Sequence, residues 1–547
     1  MCGIFALLNE TSKPVSFITE QFQKGQGRGP EDSKLINNMI GGKIVLGFHR
    51  LAINGLNDES NQPITIDNVT LICNGEIYNY KELYDMMNDI TPKSDSDCEV
   101  IIHLYKRYGI KQTLQMLDGV FAFILLDVNI NAELSKLYVA RDPYGVRPLY
   151  TMTSNKESDM NIMHGFASEL KMLSEFHSNN EIRHFLPGTF SEYIMPFKML
   201  AAWKLNNEFV SYHSTGFCTI PNKRNKETVL ADIQDYFYNA VKKRCFVTDR
   251  PVACLLSGGL DSSLVTALAN DFHKKISSVP LETYSIGMKD SEDLKYARIV
   301  ADYLGTNHTE IVLTEAEFIA AIPDVIYAIE SYDTTTVRAS IGNYLIGKYI
   351  CEHSDAKVIL NGDGSDELCG GYLYMHKCPD PIEFDKESRR LLNDIHAFDV
   401  LRSDKCISCH GLEPRTPFLD RSWVQFYLSI DPNLRYHPAK KQCEKYLLRS
   451  AFSADFFRNS LGAPLLPDSI LWRTKEAFSD GVGKQSRSLY QIIQEHYPDE
   501  KSEYKKIFSS YFAGNEGVVP YLWMPKYVES SDASARTLDI YKELQKT

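Results

Sequence analysis

Cys2 is the residue whose type and place bear first on chemistry. It follows Met1, and loss of Met1 would put a thiol and a free α-amine on one residue. An α-amine has a reference pKa of about 7.7–8.0, close enough to neutrality to move a proton. A cysteine thiol is intrinsically nucleophilic, with a reference pKa of roughly 8.5. One residue then supplies nucleophile and base, which is what acyl transfer needs when no histidine relay is at hand. Chains also begin Met-Cys by accident, so the dipeptide alone leaves both readings open.

A second candidate lies mid-chain, where the apolar run PVACLL (251–256) passes into SGGLDSS (257–263). Two adjacent glycines let an anion approach closely, while the hydroxyls and the start of a helix supply donors. The run is not the longer GxxxxGK[ST] phosphate loop and lacks that loop's lysine. A plain strand–turn–helix connection is the competing reading. Cys406 and Cys409 form a lone CxxC beside His410. Without a second pair at metal-site spacing, this reads as coincidence.

The elements that must carry these residues change character along the chain. Before about residue 210, apolar runs at 43–53, 69–80, 119–128 and 136–150 are broken by glycine and Asx-rich turns, the pattern of many short strands. One helix is expected at 97–109, with Asp97 as its cap. Numerous strands with few helices predict two stacked sheets with helices outside. From 227–246 onward, amphipathic helices alternate with buried strands, the grammar of an open, mostly parallel sheet. Ligands of such sheets sit beyond the carboxyl ends of the strands. Further helices are expected at 315–330, 335–352, 386–403 and 439–457, and the last residues read as a loosely held tail.

Composition bounds the function. The 547 residues exceed what one core usually carries, so two large domains are expected. The 44% hydrophobic and 24% charged content is that of a globular chain rather than a disordered one. A formal charge of −12 argues against a protein held to nucleic acid by phosphate contacts. No run approaches the roughly 18 apolar residues of a membrane span. The start does not read as a signal peptide. Twelve scattered cysteines, several of them in apolar runs, point to a reduced, cytoplasmic setting.

Ordered motifs then carry a resemblance. MCGI at the start, HRLAI (49–53), NGEIYNY (74–80), SDCEVI (96–101), DGVFAF (118–123) and RDPYGVRPLY (141–150) resemble a glutamine amidotransferase domain with an N-terminal nucleophile. With SGGLDSS, GSDE, RTPFLD, WRTKEAFSDG and the tail segment YLWMPKY…SARTL, the chain resembles the glutamine-hydrolysing asparagine synthetases over nearly its whole length. The implied fold is an amidotransferase sandwich of two antiparallel sheets with helices over 2–210. An open, mostly parallel α/β domain of the ATP-pyrophosphatase type would follow over 211–525, and 526–547 would be a flexible tail.

The resemblance also implies roles. Cys2 would attack the carboxamide carbon of glutamine, and Arg50, with Leu51 and Ile53 beside it, would pair with the α-carboxylate through its planar fork. Asp97 and the Gly75–Glu76 segment would receive the α-ammonium. Asn74 and the N–H of Gly75 would form the oxyanion hole. Around ATP it places Ser257, Gly258, Gly259, Asp261, Ser262, Asn361 and Gly362, with Leu255 and Ile286 against the adenine and Lys475 on the departing phosphates. Asp261 and Asp366 are the magnesium candidates, since carboxylate plus phosphate oxygen suits that ion. Aspartate is the acceptor, Arg338 in the 330–340 segment is a candidate to hold it, and a homodimer and an interdomain ammonia tunnel are expected. On the residues alone, Asp97 as a helix cap and Asn74–Gly75 as a turn remain open.

One departure matters. The family pattern SGEGSDE reads NGDGSDE at 361–367, so Asn361 stands for serine and Asp363 for a glutamate that helps form the adenylate and assists ammonia attack. Aspartate keeps the charge but is one methylene shorter. Two rivals follow: a carboxylate-activating cyclase such as a β-lactam synthetase, against which the Cys2, Arg50, Asn74 and Asp97 set weighs, and a protein that keeps the fold without synthesis.

Overall fold

In the run 119–129 nearly every residue is apolar, and the reason is that the strand it forms is covered on both faces. Ala122, Ile124 and Leu126 point into one core, and Phe121, Phe123 and Leu125 into another. The period of two along a strand makes this division. The computed structural model describes residues 1–129, 133–154, 162–176, 180–197, 201–216, 225–438, 442–473, 481–483, 487–530 and 532–544.

The chain forms two compact units. The first comprises Met1–Ser214 with Ser408–Leu412 and Phe508–Pro520. The second comprises Thr215–Ile407, Glu413–Ile507 and Tyr521–Thr547.

In the first unit the strands are β1 (Gly3–Leu8), β2 (Asp32–Met39), β3 (Ile44–Arg50), β4 (Ile64–Ile66), β5 (Val69–Ile77) and β6 (Gly119–Asn129). They continue as β7 (Leu134–Arg141), β8 (Tyr150–Ser154), β9 (His164–Ala167), β10 (Asn180–His184), β11 (Thr189–Pro196) and β12 (Lys204–Ser211). Two six-stranded antiparallel sheets result, ordered β10-β8-β9-β1-β3-β2 and β12-β11-β7-β6-β5-β4. Ile4, Ala6, Leu8, Ile44 and Leu46 of one sheet meet Ile72, Ala122, Ile124 and Val139 of the other, so the two are stacked. The helix Val100–Met116 closes the outer face of the second sheet, and the helix Val15–Gln23 lays Phe22 beside Phe5 of the first.

The expected helix at 97–109 begins with a 3-10 turn at Asp97–Glu99, and Ser96 caps it by accepting the N–H of Cys98 at 3.3 Å. Asp97 is no cap, because its carboxylate turns to another strand. The run at 136–150 is a strand only to Arg141. There the buried Asp142 collects the N–H groups of Tyr144, Val146 and Arg147 at 3.0–3.1 Å and folds the chain back.

The second unit is built on β13 (Val252–Leu255), β14 (Glu282–Met288), β15 (Asn307–Leu313), β16 (Val358–Leu360) and β17 (Glu413–Arg415), ordered β15-β14-β13-β16-β17 with every pair parallel. The strand order reverses between β13 and β16, which makes the ends of these two strands the switch point where open sheets bind ligands.

Several expected helices are divided. That at 315–330 is two pieces, Glu315–Ala320 and Ile322–Ile329, with Pro323 in the first turn of the second, a position proline tolerates. That at 386–403 is Pro381–Asp394 and Asp399–Ser408. Of 439–457 only Tyr446–Ala451 is α-helical among the described residues.

The carboxyl-terminal residues are not a loose tail up to 544. Trp523 packs beside Tyr372 and Tyr374 in a cluster that also takes Leu538 and Ile540, and the Trp523 N–H donates to the buried Asp333 at 2.7 Å. Asp333 also caps the helix Thr334–His353. Inside that helix, Arg338 is buried, donating to Glu500 at 2.9 Å and to both oxygens of Asp532 at 2.8 and 2.9 Å, with its guanidinium over Tyr490. The aromatic spacing of the last residues is therefore packing, not loose chain. Removing one member of a buried ion pair leaves the other charge stranded, at about 3–5 kcal/mol. Arg338→Ala is accordingly expected to lower the unfolding midpoint of the second unit and to speed amide exchange in 334–353 and 521–544. Exchange in the two stacked sheets should be unchanged.

Candidate active sites

In the first unit β1 and β5 bring together residues far apart in sequence. Cys2 precedes β1, and its thiol donates to the Leu51 carbonyl at 3.6 Å, placing it beside the end of β3 that carries Arg50. Its own carbonyl accepts from Arg28 Nε at 2.9 Å, and Arg28 is held by Glu169 at 2.7 Å in a buried pair. The Met1 ammonium donates to the Leu412 carbonyl at 3.1 Å, and Met1 is buried.

Asn74 and Gly75 are not a turn. They lie within β5, opposite Ala122 and Phe121. Asn74 is fully buried; its Nδ2 makes one long contact, 3.5 Å to Ser168 Oγ, and its Oδ1 has no hydrogen-bond partner among the described residues. A buried amide left so poorly paired is what a site for a developing charge requires. Asp97 accepts the N–H of Ile77 at 2.6 Å, and Glu76 accepts Asn54 Nδ2 at 2.5 Å. Arg50 is clamped by the loop it faces: Nη1 donates to Asn57 O at 3.0 Å and to Asn61, and Nη2 to Gly55 O. Ile53 is buried on the same segment.

The second unit has a cavity of about 260 Å³ at the switch point. Leu255, Ser257, Gly259, Asp261, Ser262, Ile286, Asn361, Gly362, Asp363 and Asp366 all line it. The loop after β13 is drawn tight by Ser262 Oγ, which receives the Ser257 N–H at 3.2 Å and lies 3.0 Å from Ser257 Oγ. Of the loop residues expected around ATP, Gly258 does not line the cavity; it sits behind the loop with φ +73°, its carbonyl accepting from Arg473 at 3.1 Å. A Cβ there would come within 2.4 Å of the Ala297 nitrogen. At Gly362 a Cβ would meet the Ser262 nitrogen at 2.7 Å, so the loops after β13 and β16 touch only because this residue is glycine.

Charge in the cavity centres on a residue that sequence reasoning missed. Lys445 is buried, with Nζ 2.6 Å from Asp261 and 2.5 Å from Asp366. Burial works against its charge, but the two carboxylates outweigh it and hold its pKa well above the ordinary lysine range. A lone lysine in EKYLLR carries no motif, and only its burial betrays it. The expected phosphate lysine, Lys475, lies outside the described residues. Asp363 lies at the cavity wall, 3.1 Å from Arg402, which also pairs with Asp399. Burial pushes the Asp363 carboxyl up to about 6, with Arg402 opposing and Asp399 adding to the rise. Arg338 does not line the cavity; its neighbours Thr335, Thr336 and Ala339 do.

Among the described residues no three His, Cys, Asp or Glu are grouped to hold a metal ion. Asp261 and Asp366, the two carboxylates expected to meet magnesium, are both engaged by the Lys445 ammonium. The Cys406 thiol donates to the Ser340 carbonyl, a structural contact.

An antiparallel sandwich that begins at a cysteine, with a parallel sheet bearing an anion loop at its switch point, is the architecture of a two-domain amidotransferase–synthetase. Residues 1–203 match the family model of the glutamine amidotransferase domain, and 232–381 and 377–513 match that of asparagine synthase. The glutamine-hydrolyzing asparagine synthetase of Gallus gallus is 40% identical over 586 aligned residues, covering 99% of each chain. Those of Mus musculus and Homo sapiens are 39% and 38% identical, with the whole of each chain covered. The chain belongs to the glutamine-hydrolysing asparagine synthetase family. No helix among the described residues is long and apolar enough to cross a membrane.

Gly258→Ala tests the anion loop. A methyl group forced against the backbone of 296–297 should displace the loop, so that ATP, expected to raise the melting temperature of the parent protein, leaves that of the variant unchanged.

Proposed function

We propose that this protein makes asparagine from aspartate, with glutamine as the nitrogen source and ATP as the activating substrate. The observation that carries the reading is one cavity at the switch point of the parallel sheet, lined together by the Ser257–Ser262 loop, Asp261, Asp366, Lys445 and Asp363.

In the first unit the Cys2 thiolate adds to the carboxamide carbon of glutamine, and ammonia leaves as the thioester forms. Water then releases glutamate and restores the thiol. The Asn74 side chain and the Gly75 N–H stabilise the oxyanion of each tetrahedral state. Asp97 and Glu76 receive the α-ammonium, and Arg50, fixed by the 55–61 loop, faces the α-carboxylate. The base is the α-amine freed when Met1 is lost.

In the second unit a side-chain oxygen of aspartate attacks the α-phosphorus of ATP, giving β-aspartyl-AMP and pyrophosphate. Ammonia then attacks the activated carbonyl and AMP departs with the former carboxylate oxygen. The Ser257–Ser262 loop cradles the phosphates, Leu255 and Ile286 flank the adenine, and Lys445 meets the pyrophosphate as charge builds on it. Magnesium held with the phosphates by Asp261 and Asp366 would offset further negative charge. Asp363, poised near neutrality, takes the proton that the attacking nitrogen sheds. A cytoplasmic setting and a homodimer are expectations that come with the family.

The test is incubation with glutamine, aspartate and Mg-ATP, with glutamate, asparagine, AMP and pyrophosphate measured together. Aspartate-dependent AMP is expected, and its absence would overturn the synthetase reading. Cys2→Ala should abolish glutamine hydrolysis while synthesis from ammonium persists.

The raised pKa of Asp363 sets a second expectation. Its carboxylate is ionised above about 6 and neutral below. The rate of asparagine formation, normalised to free ammonia, should fall as pH drops through that value. Asp363→Asn should remove the fall by flattening the profile at a low rate.

A further inference from the structure

The Asp363 side chain is short, so its carboxylate goes where its backbone is put. That backbone is fastened on both sides. The Asp363 N–H donates to Asn361 Oδ1 at 3.3 Å, and the next N–H, that of Gly364, donates to Asp399 Oδ2 at 2.9 Å. Asn361 reaches in the other direction too: its Nδ2 donates to Ser403 Oγ at 2.8 Å, both residues being buried. Asp399, Arg402 and Ser403 stand at i, i+3 and i+4 of the helix Asp399–Ser408 and so share one face. All three meet the loop after β16: Asp399 at Gly364, Arg402 at Asp363, and Ser403 at both Asn361 and the Asp363 carboxyl.

We propose that Asn361 and Ser403 are a positioning pair that sets the Asp363 carboxylate against the reacting carbonyl, by tying the loop to the helix that bears Arg402. The proposal rests on the synthetase reading and adds to it Ser403, which does not line the cavity, and a second task for Asn361, which does. Asparagine is the one side chain of this length that accepts from the loop and donates to Ser403 at once. Serine at 361 keeps an acceptor for the Asp363 N–H but cannot span to the helix. Aspartate at 361 keeps the span and loses the donor, and it brings a second carboxylate beside Asp363. Displacement of a reacting group by around 1 Å costs roughly 10²-fold in rate, so a tie of this kind acts on turnover rather than on nucleotide binding.

The experiment uses the full-length protein with ammonium, aspartate and Mg-ATP, reading kcat, KM for ATP and asparagine formed per AMP. Asn361→Ser and Ser403→Ala are expected to lower kcat roughly 10- to 100-fold. AMP should then exceed asparagine, because the adenylate meets water instead of ammonia, while glutamine hydrolysis stays at its parent value and Ser403→Ala, outside the cavity lining, keeps the parent KM for ATP. Ser403→Thr, which keeps the hydroxyl, should retain the parent rate. Asp363→Glu should be harmful alone yet partly restore Asn361→Ser, since a longer side chain no longer depends on the tie, and this non-additivity is the mark of coupled residues. Parent-like kcat and product ratio in Asn361→Ser would overturn the positioning role. So would a loss confined to KM for ATP or to thermal stability. A parent protein that forms no AMP from aspartate would instead remove the synthetase reading, and this proposal with it.

Discussion

The second unit depends on one buried charge cluster. Two carboxylates on different loops, Asp261 after β13 and Asp366 after β16, cannot face each other across a cavity without a cation between them, and Lys445 is that cation. At an effective dielectric of about 20, each contact near 4 Å is worth on the order of 4 kcal/mol, and shorter contacts more, against a desolvation cost of several kcal/mol per ion. The cluster is thus close to balanced in stability, and what it secures is geometry. Lys445 accepts a left-handed backbone, φ +56°, to deliver its ammonium, a conformation that non-glycine residues rarely hold. Asp261 is steadied in turn by the Ser365 hydroxyl at 2.7 Å.

The first unit solves a different problem with neutral groups. In the proposed glutamine hydrolysis the developing charge belongs to an oxyanion, and a fixed cation there would bind the substrate carbonyl before reaction as well as after it. A poorly paired amide on a rigid strand stabilises only the later state. Asn74 lies on β5, next to last in its sheet, and Ser168, bonded to both the N–H and the carbonyl of Ile4, ties β1 of the facing sheet to it. Arg28 and Glu169, paired out of solvent, hold the backbone of Cys2.

Much of this was legible in the residues, for physical reasons. Period-two and period-3.6 patterns are local, so the sheets and the order of elements could be read, as could the loop after β13 from its glycines and hydroxyls. Caps and ends were less legible. Asp97 sits where a cap belongs, and only the approach of Ile77 in space takes its carboxylate away, leaving Ser96 to serve. Lys445 and Arg338 show the larger limit. Each is one cation among others in a stretch of helical pattern, and nothing local separates the one that enters the cavity from the one that binds Glu500 and Asp532. The partners lie far off in sequence, 184 residues away for Lys445 and Asp261 and 194 for Arg338 and Asp532.

The distinction between those cations explains how the carboxyl-terminal segment serves the cavity. Thr335, Thr336 and Ala339 line it from the first turns of a helix whose cap, Asp333, is buried and bonded to the Trp523 N–H. An uncapped, buried helix start would leave N–H groups unpaired, at about 1–3 kcal/mol for each buried donor. Asp333 satisfies Thr336, and Trp523 in turn uses the second oxygen of Asp333. Arg338, one turn further along, is locked by Asp532 from the same segment. Tyr521 and Trp523 then complete the wall they have helped to position. The residues that would be trimmed as a tail on composition alone are the last layer of the cavity, joined to it by charge and by backbone hydrogen bonds rather than by apolar contact alone.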